Sequence, residues 1–324
     1  MYTSSFFVIL SGPTAVGKTA AVAPLAKRLP LEVINADVGQ FYEPLSIGTA
    51  KPLWRREPVP HHCFDLFKEP VHFSAVSYRE KVFALMGEIW ARGRIPLFVG
   101  GSLFYLRSLF FPPLAAGGEG GQLVKRGEYA HDLPTADLWK QLALVDPERA
   151  QALAPTDRYR IVRALALWEK TGTKPSLLRP VFVEPPAPCV FVFLTRDRAD
   201  LYRRINERVR LMVQEGWLDE VRALSPAWRA FLREKRFIGY PEMDAYLAGK
   251  EGGETEREQL IADIQLKTRN YAKRQLTFWR LLRRDLLPQK KVKICEVNLT
   301  LCDLALYIEH VFSCVQPFFV TSRG

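Results

Sequence analysis

The sequence predicts an α/β fold, a parallel sheet flanked by helices with a helical segment inserted into it, on three observations. Short apolar runs at 6–10, 31–36, 95–99 and 190–194 alternate with helix-periodic stretches, which is the pattern of parallel strands joined by crossover helices. The first run breaks directly into Gly12-Pro13-Thr14-Ala15-Val16-Gly17-Lys18-Thr19 and then into an Ala- and Leu-rich segment. That order is strand, glycine turn, helix. Only helical patterns occur between a Gly- and Pro-rich stretch at 112–121 and a Pro-rich one at 183–188. The expected layout is a core over 1–113, a helical insertion over 114–189, and core again over 190–324.

The spacing G-x-x-x-x-G-K-T gives the first junction its chemistry. Glycines let successive N–H groups converge on one point, and a helix starting at Gly17 adds the positive end of its dipole there. Lys18 supplies a mobile charge for phosphoryl oxygens, and the Thr19 hydroxyl can hold a Mg²⁺ that bridges two phosphates. The core is therefore P-loop NTPase-like, and residues 12–19 bind a di- or triphosphate. Taken alone, the motif suggests nucleotide binding, ATP above all, and phosphoryl transfer.

The next elements follow in order. Residues 20–29 read as a helix despite Pro24, and 31–36 as a strand ending at Asp37. Ligands of parallel sheets sit beyond the carboxyl ends of strands, so Asp37 stands beside the phosphate loop. A metal ligand, a proton acceptor and a turn-capping Asp are all compatible with that position. The turn-rich stretch 38–60 suits substrate contacts, and His61 and His62 read as loop residues. Apolar residues near a 3.6 period make 74–92 an amphipathic helix. Residues 95–99 then form a strand that ends in Gly100-Gly101-Ser102 before a helix over 103–110, a second strand-glycine-helix junction.

In the insertion, 136–145 and 158–170 read as helices, and Arg160 and Arg163 sit three apart as candidates for phosphate-backbone contacts. The helix 198–215 carries Arg203, Arg204, Arg208 and Arg210. In the long helix 256–284, Ile264, Thr268, Tyr271, Gln275, Phe278 and Leu282 define a mostly apolar face. Arg269, Lys273, Arg280 and Arg284 line a stripe opposite it, fit for RNA or DNA backbone. Residues 292–297 and onward read as a strand and a short helix.

Lys and Arg outnumber Asp and Glu by 46 to 35, a formal net charge of +11, which favours a nucleic-acid partner over a membrane surface. No apolar run reaches the roughly 20 residues of a membrane span. The five cysteines show no C-x-x-C spacing, which argues against a disulfide framework or zinc site and for a reducing cytoplasm.

These motifs together resemble bacterial tRNA dimethylallyltransferases. The resemblance rests on GPTAVGKT (12–19), ADVGQFY (36–42), IGTAKP (47–52), PHH (60–62), RIPLFVGGSLFY (94–105), RYRIVRAL (158–165), IGYPEM (238–243) and TRNYAKRQLTFWR (268–280), in the family's order over about 6–285. It implies transfer of a dimethylallyl group from dimethylallyl diphosphate to the N6 amine of the adenosine 3′ to the tRNA anticodon, with Mg²⁺ as cofactor. The implied diphosphate site is Gly12 to Thr19 with Arg208, the implied general base is Asp37, and Ser102 supplies a hydroxyl. Asp37, Val38, Gly39 and Gln40, and Tyr159, Arg160, Ile161, Val162 and Arg163, are implied contacts of the anticodon stem-loop. A cytoplasmic monomer without membrane attachment is expected. Val38 stands where the family has Ser, Ser102 where it has Thr, and Ala166 where Glu is common; the Gly-rich stretch replaces the family's opening of the insertion. Two other readings start from the same loop: a P-loop kinase of a small metabolite, which needs no basic stripe, and an RNA-binding NTPase switch.

Overall fold

The computed structural model describes residues 5–114, 133–249, 253–301 and 304–318. The Gly- and Pro-rich stretch at 112–121, whose composition reads as a flexible linker, lies mostly outside them. Among the described residues the strands are β1 (Phe7–Ser11), β2 (Leu31–Asn35), β3 (His61–His62), β4 (Ile95–Gly100), β5 (Cys189–Thr195) and β6 (Val292–Asn298). They form one sheet in the order β3-β2-β4-β1-β5-β6, every pair parallel. β1 is central, with Ser11 level with Gly100 of β4 and with Phe193 of β5. β1 and β2 are buried at every residue, as expected of strands covered on both faces, and that accounts for their unbroken apolar runs.

The helices are α1 (Val22–Ala26), α2 (Ala75–Ala91), α3 (Leu103–Ser108), α4 (Thr135–Val145), α5 (Pro147–Gln151), α6 (Arg158–Thr171), α7 (Arg198–Gln214), α8 (Trp217–Ala223), α9 (Pro226–Glu234), α10 (Tyr240–Ala248), α11 (Glu254–Leu286) and α12 (Leu304–Val315). No helix among the described residues is long and apolar enough to cross a membrane.

Two expectations change here. The helix expected over 20–29 is a 3-10 turn at Thr19–Ala21 followed by only five α-helical residues. Pro24 explains it: lacking an N–H, it cannot bond residue 20, and its ring crowds that carbonyl, so the preceding turn winds tighter. His61 and His62 are not loop residues. They pair with Val33 and Ile34 as the edge strand β3, and His62 Nε2 lies 2.7 Å from Glu32 Oε2. Glu32 is buried and also takes a two-pronged bond from Arg92, at 3.0 and 2.7 Å.

The chain divides into two compact units, one of residues 1–72, 82–106 and 185–324, the other of 73–81 and 107–184. The second is drawn wider than the bracket 114–189 at its start, and α2 and α3 begin in one unit and end in the other. Inside it, Leu138, Leu142, Ala150, Leu153, Ile161, Ala164 and Leu165 form a core of their own. The buried Asp146 caps α5 through Arg149 N–H at 3.0 Å and receives Ser176 N–H at 2.7 Å. Burial works against its charge, but those two N–H groups, together with the Ser176 hydroxyl and the charge of Lys174, outweigh it and hold the carboxyl below its usual range. In the first unit, α11 lays Ile264, Gln265, Ala272, Gln275, Trp279, Leu282 and Leu286 inward. Trp279 stacks on Phe193 of β5 with ring centroids 4.2 Å apart and 5° between planes.

Candidate active site

The site is built at the carboxyl ends of β1, β2 and β4. Ala15, in the phosphate loop, holds a left-handed φ of 61°, which a residue with a Cβ keeps only with support. α7 and the turn before it supply that support: Arg204 Nε donates to Ala15 O at 3.0 Å, and Arg196 Nε to Val16 O at 2.9 Å. In a trans peptide the C=O and N–H point opposite ways, so tying Val16 O to Arg196 aims the Gly17 N–H away from it. Gly17, Lys18 and Thr19 line a polar cavity of about 470 Å³.

A second cavity of about 510 Å³ is walled by aromatic residues, Phe104, Tyr105, Trp217, Phe237, Tyr240, Tyr271 and Phe278. Thr14, Ala15, Asp37, Thr49 and Arg208 line both cavities. A charged seam therefore joins the polar space of the phosphate loop to an aromatic one.

Asp37 is fixed at that seam by its neighbours. Its N–H donates to Asn35 Oδ1 at 2.9 Å, and the buried Asn35 returns Nδ2 to Asp37 O at 3.2 Å and to Cys63 O at 3.0 Å. Burial raises the Asp37 pKa above the ordinary carboxylate value, although Lys18, Arg208 and the N–H groups of Gly39 and Gly101 all pull it down. Lys18 Nζ donates to Gly12 O at 3.1 Å and Pro13 O at 2.9 Å. Burial lowers its pKa to about 8, with Asp37 opposing the change and Arg208 adding to it.

The glycine that ends β4 permits the close approach of two strand ends. A Cβ on Gly100 would lie 2.1 Å from the carbonyl carbon and oxygen of Ala36. With none there, Ser102 N–H donates to Ala36 O at 3.0 Å, and Ser102 Oγ accepts Val38 N–H at 3.0 Å. Gln275 of α11 completes the frame. Its Oε1 accepts Thr14 N–H and its Nε2 donates to Gly101 O, both at 2.9 Å.

No group of three or more His, Cys, Asp or Glu suited to a metal occurs among the described residues. Among the oxygen-bearing side chains that line the polar cavity, Thr19 is the one next to Lys18 in the loop, and Asp37 and Glu207 line it too. A hydroxyl next to a phosphate site fits Mg²⁺, which keeps waters and takes other ligands from phosphates.

A family model described as IPP transferase matches residues 40–282. The chain belongs to the IPP transferase family. Among curated relatives of this family member, the tRNA dimethylallyltransferase 2 of Geotalea uraniireducens is 39% identical over 278 residues, 84% of this chain and 88% of its own length. The tRNA dimethylallyltransferase of Symbiobacterium thermophilum is 40% identical over 285 residues, 86% and 87% of the two chains. Among solved structures, the full-length tRNA isopentenylpyrophosphate transferase of Bacillus halodurans matches with a TM-score of 0.64 at 30% identity, covering 98% of this chain and 97% of that one. A eukaryotic dimethylallyltransferase captured acting on tRNA matches with a TM-score of 0.76 at 25% identity, covering 99% and 81%.

Of the residues singled out in this IPP transferase by sequence, Thr14, Ala15, Gly17, Lys18, Thr19, Asp37 and Arg208 come together around the polar cavity, and Val38, Gly39 and Ser102 border the aromatic one. Gln40 lines the polar cavity, but its Nε2 is engaged internally with Thr49 O and Ala50 O, at 3.1 and 3.3 Å. Ile161 is a core residue of the helical unit and Val162 packs against that core, while Tyr159 and Arg160 are exposed, Arg163 is half-buried, and Arg160 pairs with Asp157 at 2.8 Å. The stripe on α11 loses Arg269, which turns inward to bond Asn206 Oδ1 at 2.7 Å; Lys273 and Arg280 are exposed. Arg203 and Arg210 lie in surface ion pairs with Asp200, Glu207 and Glu258. Sequence reasoning missed Gln275 as a fastener, Tyr271 and Phe278 as cavity wall, and Arg274, which also lines the aromatic cavity. The first three stood in the apolar face of the long helix, and their recurrence at intervals of three and four could not separate a cavity wall from core.

Proposed function

We propose that the chain transfers the dimethylallyl group of dimethylallyl diphosphate to the N6 amine of the adenosine 3′ to the tRNA anticodon, releasing pyrophosphate. The observation that carries this reading is the position of Asp37 between a phosphate cavity and an aromatic one. In this reading the diphosphate occupies the loop Gly12 to Thr19, and the adenine leaves its stack to enter the aromatic cavity. The N6 nitrogen attacks the allylic carbon, the carbon–oxygen bond to pyrophosphate breaks, and the amine proton passes to Asp37. A carboxylate whose pKa burial has raised is a better proton acceptor than a solvated one. Lys18, the loop N–H groups and Arg208 meet the charge that gathers on the leaving pyrophosphate. Ser102 Oγ accepts from Val38 N–H, so its own hydrogen remains to be donated to substrate. Thr19 would hold Mg²⁺, which supplies electrostatic stabilisation of the leaving group. For the tRNA, Tyr159, Arg160 and Arg163 in the helical unit and Lys273 and Arg280 on α11 supply contacts with the anticodon stem-loop. The reading carries with it a monomer acting in the cytoplasm.

The kinase alternative draws no support from the relatives found, and an aromatic cavity beside the phosphate site is not what small polar metabolites need. The deciding experiment is mass spectrometry of nucleosides from undermodified tRNA incubated with the protein, dimethylallyl diphosphate and Mg²⁺. N6-isopentenyladenosine is the expected product, and its absence would overturn the reading.

A further inference from the structure

Glu220 sits in the middle of α8, and the transfer chemistry described so far gives it no part. Its carboxylate nevertheless accepts four hydrogen bonds. Oε2 takes the N–H groups of Ser46 and Ile47 at 2.8 and 2.6 Å, and Oε1 takes Gly48 N–H at 3.1 Å and the Tyr240 hydroxyl at 2.7 Å. Three successive backbone N–H groups turned to one point make an anion-binding concavity. Here the anion is a side chain of the same protein, and bonds to an ionised acceptor are the stronger kind.

What the carboxylate holds is a wall of the site. Gly48 borders the aromatic cavity, Ala50 the polar one, and Thr49 both. A Cβ on Gly48 would lie 2.1 Å from Trp217 Nε1 and 2.6 Å from Tyr240 Cζ, so the backbone is drawn tight against the aromatic floor. The far end of the loop is tied separately, by Lys51 Nζ to Tyr42 O at 2.8 Å and to Asp65 Oδ1 at 2.5 Å.

We propose that Glu220 is a positioning residue for the allylic diphosphate: by gathering the N–H groups of Ser46, Ile47 and Gly48 it sets the loop that closes the seam between the two cavities. The inference rests on the functional reading above and specifies how that site is held in shape. Glu220→Gln keeps the size of the side chain but turns an NH₂ group toward N–H donors.

The test compares inorganic pyrophosphate binding, measured by calorimetry with Mg²⁺, and steady-state kinetics. In Glu220→Gln, the Kd for pyrophosphate and the KM for dimethylallyl diphosphate should each rise at least about 10-fold, with kcat within about threefold. Glu220→Asp, which keeps the charge, should recover part of the loss, and Tyr240→Phe, which deletes one donor of four, should raise the Kd about two- to fivefold. A Glu220→Gln protein that binds pyrophosphate like wild type overturns the inference, as does a loss of kcat and of thermal stability in parallel with the rise in KM and without recovery in Glu220→Asp. If Glu220→Gln does not fold, Tyr240→Phe decides, and unchanged pyrophosphate binding there overturns it. A wild-type protein that bound no pyrophosphate would overturn the functional reading itself, and the inference with it; a variant matching a wild type that does bind overturns the inference alone.

Discussion

Asp37 and Lys18 both line the polar cavity, and their protonation is the chemistry at the residue scale. Asp37→Ala should leave pyrophosphate binding within about threefold while single-turnover prenyl transfer falls by about 100-fold or more, the usual loss with a general base. Equal loss of binding in calorimetry would make it a structural residue instead. Lys18 loses its proton near pH 8 when folded, against 10.5 for a free lysine. Pyrophosphate affinity of the wild type should therefore decline as pH rises through about 8. Stability runs the other way. Below pH 8 the folded state carries the full disadvantage of a buried charge, and between 8 and 10.5 the unfolded state binds more protons, so the disadvantage fades with rising pH. Lys18→Met should accordingly gain about 1–3 kcal/mol in urea unfolding at pH 7 and less at pH 10, while abolishing diphosphate binding.

At the scale of elements, α11 is both a buttress and a wall. Trp279 is buried and stacked on Phe193. Trp279→Ala should cost about 3–5 kcal/mol, measured by chemical denaturation. Gln275→Leu removes the partners of Thr14 N–H and Gly101 O together; with about 1–3 kcal/mol for each buried group left unmet, both stability and pyrophosphate affinity should fall. The elements themselves were readable where one periodicity dominated. Four strands were expected from the continuous apolar runs, and β6 from the tail. The pair His61–His62 was not, because two residues carry no alternation to read and only their bonding to β2 makes them a strand. Pro24 was visible in the sequence, but its consequence, a 3-10 turn in place of the first helical turn, depends on where the loop hands over to the helix. The phosphate loop, Asp37 and Ser102 were legible because glycine spacing and strand ends are local signals. Gln275 and Glu220 were not, because each acts on a partner far along the chain.

For the whole molecule, the net charge of +11 bears on how tRNA is met. Affinity should fall with salt, each phosphate contact adding about 0.7–0.9 to the slope of log K against log salt. Arg160 and Arg163 belong to the helical unit and the phosphate loop to the other. Replacing both arginines by Ala should lower the salt slope by about 1–2 in filter binding and leave pyrophosphate calorimetry unchanged. A change in both would mean that the two units are not energetically separate.

The bond from Thr14 N–H to Gln275 Oε1 spans 261 positions. During synthesis the phosphate loop emerges early, while its fastener follows only after most of the chain; at about 5–20 residues per second that delay is on the order of 10–50 s. The central strand β1 waits in the same way for β5. The nascent chain thus carries the motif long before it can carry the ligand, and competence for pyrophosphate should arrive late and abruptly, once α11 has left the ribosome. Ribosome-bound chains halted before residue 254 should fail to retain labelled pyrophosphate, and full-length released chains should hold it.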